Sequence, residues 1–122
     1  MKKQFEYKIC LSTWWIRINI TGEIKSIEDN MHVGYILISD KFLQQDQKEK
    51  IQNGIENAIE ELQIKKASYI IEITDVQFQL TDFQLEGLYW ASREWLAFAF
   101  ERDIKKPNVS FDKINNKYLF NH

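Results

Sequence analysis

One cysteine, one proline, two histidines and four glycines are few for 122 residues, and each shortage closes off a class of explanation. A lone Cys10 between Ile9 and Leu11 rules out an internal disulfide and points to a buried apolar role in a reducing compartment. Gly22, Gly34, Gly54 and Gly87 stand singly, so neither a GxGxxG loop nor a P-loop can be drawn, and nucleotide binding loses its usual signature. His32 and His122 have no companion at metal-ligand spacing, which argues against zinc. His32, at the start of a strand beside a polar loop, reads as structural. No apolar run approaches the roughly 18 residues of a membrane helix. The opening MKKQFEYKIC also lacks the unbroken apolar stretch of a secretory signal. The expectation is a cytoplasmic protein without membrane attachment.

What is present describes one globular domain spanning residues 1–122: 44% hydrophobic and 28% charged residues, with chain enough to bury a core unaided. Net charge is −2 and the lysines are dispersed, so nucleic acid is not an expected partner, because phosphate binding depends on concentrated positive charge.

Periodicity supplies the elements. Phe5, Tyr7, Ile9 and Leu11 alternate, and Trp14, Ile16, Ile18 and Ile20 alternate on the opposite parity. One long strand with a bulge near residues 12–14 accounts for the change of phase. Thr21, Gly22 and Glu23 read as a turn, residues 24–27 as a weakly pairing segment, and Glu28, Asp29 and Asn30 as a polar loop. MHVGYILIS, residues 31–39, is nearly all apolar after His32, as in a strand covered on both faces. Asp40 is placed to cap a helix whose buried stripe is Ile51, Ile55, Ala58, Ile59 and Leu62 and whose end falls near Lys65 and Lys66. Residues 67–80 return to alternation, with a second bulge predicted near Thr74 and Asp75.

A second helix follows. Thr81 and Gln84 match a capping box, and Asp82 and Glu86 place negative charge in the first turn. Leu88, Ala91, Trp95, Phe98 and Ala99 form its core stripe, while Glu86, Arg93, Glu94 and Glu101, with Trp90 alongside, form a narrow wet stripe. Gly87, costly in a helix, implies a close neighbour, most simply a strand. Val109 to Phe111, a turn at Asn115 and Asn116, and Tyr118 to Phe120 make a C-terminal hairpin. The fold class is α+β, two-layered: a mixed, mostly antiparallel sheet with two helices packed on one face and a C-terminal hairpin.

Catalytic groups are sparse. Asp75, Asp82 and Glu86 could serve a small enzyme at the strand-to-helix corner, but bulges and caps account for the same acids. No cofactor or metal is called for. Aromatics are the conspicuous surplus at 14%. Trp14 and Trp15 are adjacent, so one of them should face away from the core.

Within YIIEITDVQFQLTDFQLEGLYWASREWLAFAF, residues 69–100, a strand leads through DFQLEGL into a helix carrying A-x-x-EW. This stretch, about a quarter of the chain, resembles bacterial immunity proteins of polymorphic-toxin and contact-dependent inhibition systems. Similar wording occurs in the fourth domain of G-type elongation factors, where it reflects shared fold. The resemblance implies a small cytoplasmic protein that binds one cognate toxin domain, blocks it, and catalyses nothing. Immunity proteins often present acids to basic toxins. Glu23, Glu28 and Asp29, then Asp46, Glu49, Glu56 and Glu60, then Glu86, Glu94 and Glu101 offer such a surface. The expected contacts are Glu23, Glu28 and Asp29 together with Glu86, Trp90, Arg93, Glu94 and Glu101. The alternatives are the corner enzyme and a self-associating accessory domain; the protein itself is expected to be a monomer or weak homodimer.

Overall fold

The computed structural model describes residues 2–27, 34–79 and 83–121. In chain order the elements are β1 (Lys2–Ile9), β2 (Ile16–Ser26), β3 (Tyr35–Ile38), α1 (Gln45–Glu61), a 3-10 turn (Lys66–Ser68), β4 (Tyr69–Phe78), α2 (Leu85–Ala99), β5 (Asn108–Asp112) and β6 (Lys117–Asn121). Four strands form one mixed sheet in the order β1-β2-β4-β3, antiparallel except for the β3–β4 pair, and β5–β6 is a separate antiparallel hairpin. α2 lies across β1 and β2, and α1 packs along α2 and touches β3. The fold is therefore α+β, with both helices on one face of a mixed sheet and a C-terminal hairpin.

Alternation in the first strands is real, but its change of phase has another cause. Residues 10–15 leave the sheet as a loop, and β2 returns antiparallel to β1 with Ile16 opposite Ile9. An even-length connection reverses parity just as a bulge would. Both strands then direct Phe5, Tyr7, Ile9, Ile16, Ile18 and Ile20 to the helices. Cys10 stands exposed at the loop's start, correcting the expected burial.

The turn expected at Thr21, Gly22 and Glu23 is also absent, since β2 continues through it. Gly22 is there because the Trp95 ring lies on it: a Cβ would come within 2.6 Å of Trp95 Cζ2 and 2.5 Å of the Glu72 carbonyl oxygen. The second bulge is found where expected. Gly22 opposes Ile73 and Thr21 opposes Asp75, which leaves Thr74 as the extra residue, its hydroxyl donating to the Thr21 carbonyl at 3.1 Å.

β3 differs from a doubly covered strand. Ile36 and Ile38 are partly buried, whereas Tyr35 and Leu37 are 49% and 44% exposed, because the helices cover one face only. Residues 31–33, with His32, lie outside the described residues, as do Glu28, Asp29, Thr81, Asp82 and His122.

Helix α1 buries Ile51, Ile55, Ala58 and Ile59 as its stripe predicts, with Leu62 as C-cap. It starts later and stops earlier than expected. Gln44 is the N-cap, and its N–H donates to the Gln47 side chain at 2.9 Å. The helix ends at Glu61, so Lys65 and Lys66 lie beyond it. Asp40 is a buried loop carboxylate instead of a cap, accepting from the Phe42 and Val76 N–H groups at 3.0 and 2.9 Å. α2 likewise begins at Leu85, with Gln84 as N-cap in place of the Thr81 capping box. The Gln84 amide instead grips the Tyr118 peptide, donating to its carbonyl at 2.8 Å and accepting from its N–H at 2.6 Å. Gly87 faces Ile16 and Ile18 of β2, the close strand neighbour its presence implied.

The hairpin is clasped from both sides. Tyr118, 1% exposed, donates its hydroxyl to the Trp14 carbonyl at 2.6 Å and accepts from the Leu11 N–H at 3.0 Å, while its ring meets Trp14 edge-on. Trp14 thus packs inward against the hairpin while Trp15, 41% exposed, faces out, although both lie in the loop and not in a strand.

Candidate functional site

The wet stripe expected on α2 is only partly wet. Glu86 and Glu101 are exposed and Glu94 is half-buried, but Trp90 and Arg93 are buried, at 4% and 3% exposure. The cause is α1 together with the segment after α2, which close over that side of the helix. The Arg93 guanidinium reaches α1 to bond the Asn57 side-chain oxygen, donates to Glu61 Oε1 at 2.9 Å and donates to the Lys105 carbonyl at 2.9 Å. Glu61 Oε2 in turn accepts the Lys105 N–H at 3.0 Å. Trp90 stacks with Phe120 on one side and has the guanidinium 5.2 Å from its ring. A single arginine thereby ties α1, α2 and the following segment together around a niche of about 240 Å3, with Lys106 and Pro107 at its rim.

Electrostatics follow from these partners. Burial works against charge on Glu61, but the hydrogen bonds from Arg93 and the Lys105 N–H, with their positive charges, outweigh it and hold the carboxyl below the usual range. Glu94 goes the other way: burial pushes its carboxyl up despite Lys106 at 3.7 Å. On β1, the buried Tyr7 hydroxyl has no hydrogen-bond partner among the described residues. Burial, then the charges of Glu94 and Glu86, hold its ionisation well above the usual phenol range. Sequence reasoning missed Asn57, Glu61 and Lys105; an arginine set among Ala91, Ser92 and Trp95 was the one available signal.

Among the described residues, no element covers the sheet face turned away from the helices. Register places its side chains in rows: Lys8 beside Arg17; Glu6, Asn19 and Gln77; Gln4, Thr21 and Asp75; Lys2, Glu23, Glu72 and Leu37; Lys25, Ile70 and Tyr35. Some of these charges are paired locally. Arg17 Nε meets Glu6 at 2.8 Å, Lys25 lies 3.9 Å from Glu23, and Ser39 donates to Glu72 at 2.8 Å. Apolar groups flank them, Tyr35 and Leu37 at one edge and Trp15 near the other, with the Lys8 ammonium 4.4 Å from the Trp15 ring centroid.

The two described corner acids, Asp75 and Glu86, do not converge. Asp75 faces the uncovered side of β4 and Glu86 sits on α2, on the opposite side of the sheet; Asp82 lies outside the described residues. Asp75 instead borders a groove of about 460 Å3 between the end of β4 and the start of α1, with Asp40, Phe42, Leu43 and Phe78 along it. Among the described residues no three His, Cys, Asp or Glu side chains are grouped to hold a metal ion, and no helix is long and apolar enough to cross a membrane. Compared with protein-family models and with curated proteins, the chain matches none.

Proposed function

We propose that this chain is a binding protein of the immunity class, which neutralises a cognate bacterial toxin domain by occluding it and carries out no reaction itself. The observation that supports this reading is the uncovered sheet face, where locally paired charges run between an exposed tryptophan and the exposed Tyr35 and Leu37 of an edge strand. Aromatic and aliphatic anchors within a polar surround are how protein interfaces distribute affinity and specificity. Acids on the outer side of α1, Asp46, Glu49, Glu56 and Glu60, are exposed and suited to steering a basic partner. The resemblance of residues 69–100 supplies the partner class.

Contact through the α2 stripe is reduced to its outer acids, because Trp90 and Arg93 are engaged inside the protein. The test is to look immediately upstream of the gene for a C-terminal toxin domain and to co-express the two; absence of such a domain there counts against the proposal. Protection of growth, weakened when Leu37 is changed to Lys, is the expected result. Killing that proceeds unchanged in the presence of the intact chain contradicts the proposal.

A further inference from the structure

Besides the outer edges of β1 and β3, the sheet leaves a length of the inner strand β4 without a neighbour among the described residues. β3 pairs with β4 only as far as Ile38 opposite Ile73, followed by the Ser39 N–H to Ile73 carbonyl bond at 2.9 Å. The chain then turns away at Asp40 toward α1, while β4 runs on to Phe78. Among the described residues, no strand lies beside residues 74–78 on that side. The Val76 N–H faces the gap, since it donates to Asp40 Oδ2 at 2.9 Å. Alternation then turns the Val76 carbonyl and both backbone groups of Phe78 the same way. The groove of about 460 Å3 occupies this gap, in line with β3.

We propose that this groove accepts an extended polypeptide segment of a partner, which adds to β4 as a strand continuing the line of β3. Backbone pairing to residues 76–78 sets its direction, as in other cases of strand addition. The flanking side chains set its composition. On the helix side the incoming residues meet Leu43, Val76 and Phe78, with Phe42, 87% exposed, at the rim, so these positions suit apolar side chains. On the open side they meet Asp75 and Gln77, so the alternate positions suit lysine or arginine. The occupant is thus an extended segment of alternating apolar and basic residues. That such a segment belongs to a toxin domain rests on the proposed function; the groove's preference does not.

The experiment uses the full chain, 15N-labelled, and a synthetic eight-residue peptide alternating valine and lysine. Expected are shifts at Val76, Gln77 and Phe78 and hydrogen exchange slowed about tenfold or more at the Phe78 N–H. The same peptide N-methylated at every backbone amide should bind at least about tenfold more weakly, since it cannot pair as a strand. Asp75→Lys should weaken the unmodified peptide severalfold without disturbing the fold, because Asp75 faces the open side. Equal binding of the two peptides, shifts confined to Glu6, Glu23 and Glu72, or no shift at millimolar peptide would each overturn the proposal. Failure of the two ideas is separable. A toxin domain that is neutralised while the groove stays unprotected removes the strand site and leaves the function. A peptide that enters the groove when no toxin domain is neutralised does the reverse.

Discussion

Tyr7 and Arg93 illustrate how a single buried polar group can cost or support stability. The Tyr7 hydroxyl is desolvated without a partner among the described residues, a situation that costs about 1–3 kcal/mol. Tyr7→Phe is therefore expected to leave stability unchanged or raise it by about 1 kcal/mol in urea unfolding. It should also change the pH profile. The folded ionisation of Tyr7 is raised above its unfolded value near 10, so its neutral form favours folding below that pH and stability falls as pH rises through and beyond it. The alkaline loss should be smaller in Tyr7→Phe, and an identical loss in both proteins would contradict the assignment. Arg93 is largely the opposite case, since its two terminal guanidinium nitrogens bond three groups on two segments, α1 and the stretch after α2, with only Nε lacking a partner among the described residues. Arg93→Met should cost about 2 kcal/mol, less than a fully buried pair because Glu61 keeps access to water. It should also free the Lys105 N–H to exchange. Periodicity alone set both Arg93 and Trp90 on a wet stripe because it cannot see a second helix and a returning segment closing over them. Strand alternation predicts the opposed fates of Trp14 and Trp15, but the two lie in the β1–β2 loop, where the Trp14 contact with Tyr118 sets them apart.

Among the elements, what was legible depended on whether the signal was local. Both helices, the bulge at Thr74 and the C-terminal hairpin followed from spacing. The first bulge did not, because an even-length loop and an inserted residue produce the same reversal of faces, and only the β1–β2 register separates them. Helix starts were displaced for a similar reason: Asp40 and Gln84 have capping chemistry, but the side chain of one is spent on the edge of β4 and that of the other on the hairpin, with no side-chain bond to its own helix. Gly22 shows the strongest element-level constraint. It read as a turn residue and proves to be the seat of Trp95, with backbone on its other side. Gly22→Ala is expected to destabilise by about 2–3 kcal/mol, from overpacking that neither a backbone carbonyl nor a buried indole relieves easily. Near-ultraviolet circular dichroism should report the displaced Trp95. A stability within about 0.5 kcal/mol of the parent would show that the sheet and α2 are not in such close contact.

For the molecule as a whole, the layer arrangement was readable and the surface was not. Two helices on one face leave the other face bare, yet which residues share that face depends on strand order and register, which involve segments far apart in the chain. Glu23 reached it within β2 instead of in a loop, and the corner of Asp75 and Glu86 was divided between opposite sides of the sheet. Leu37→Lys is the informative surface change. Leu37 is exposed at an edge, so stability should move by no more than about 0.5 kcal/mol while affinity for a basic toxin domain falls about tenfold or more. The most direct measurement is backbone hydrogen exchange on the purified protein, alone and mixed with a toxin domain of the kind the proposed function requires, taken from the neighbouring gene if it encodes one. A stoichiometric complex with protection along β3, β4 and the uncovered rows of β2 is the result this account predicts. No complex, or protection confined to the outer faces of the helices, would contradict it.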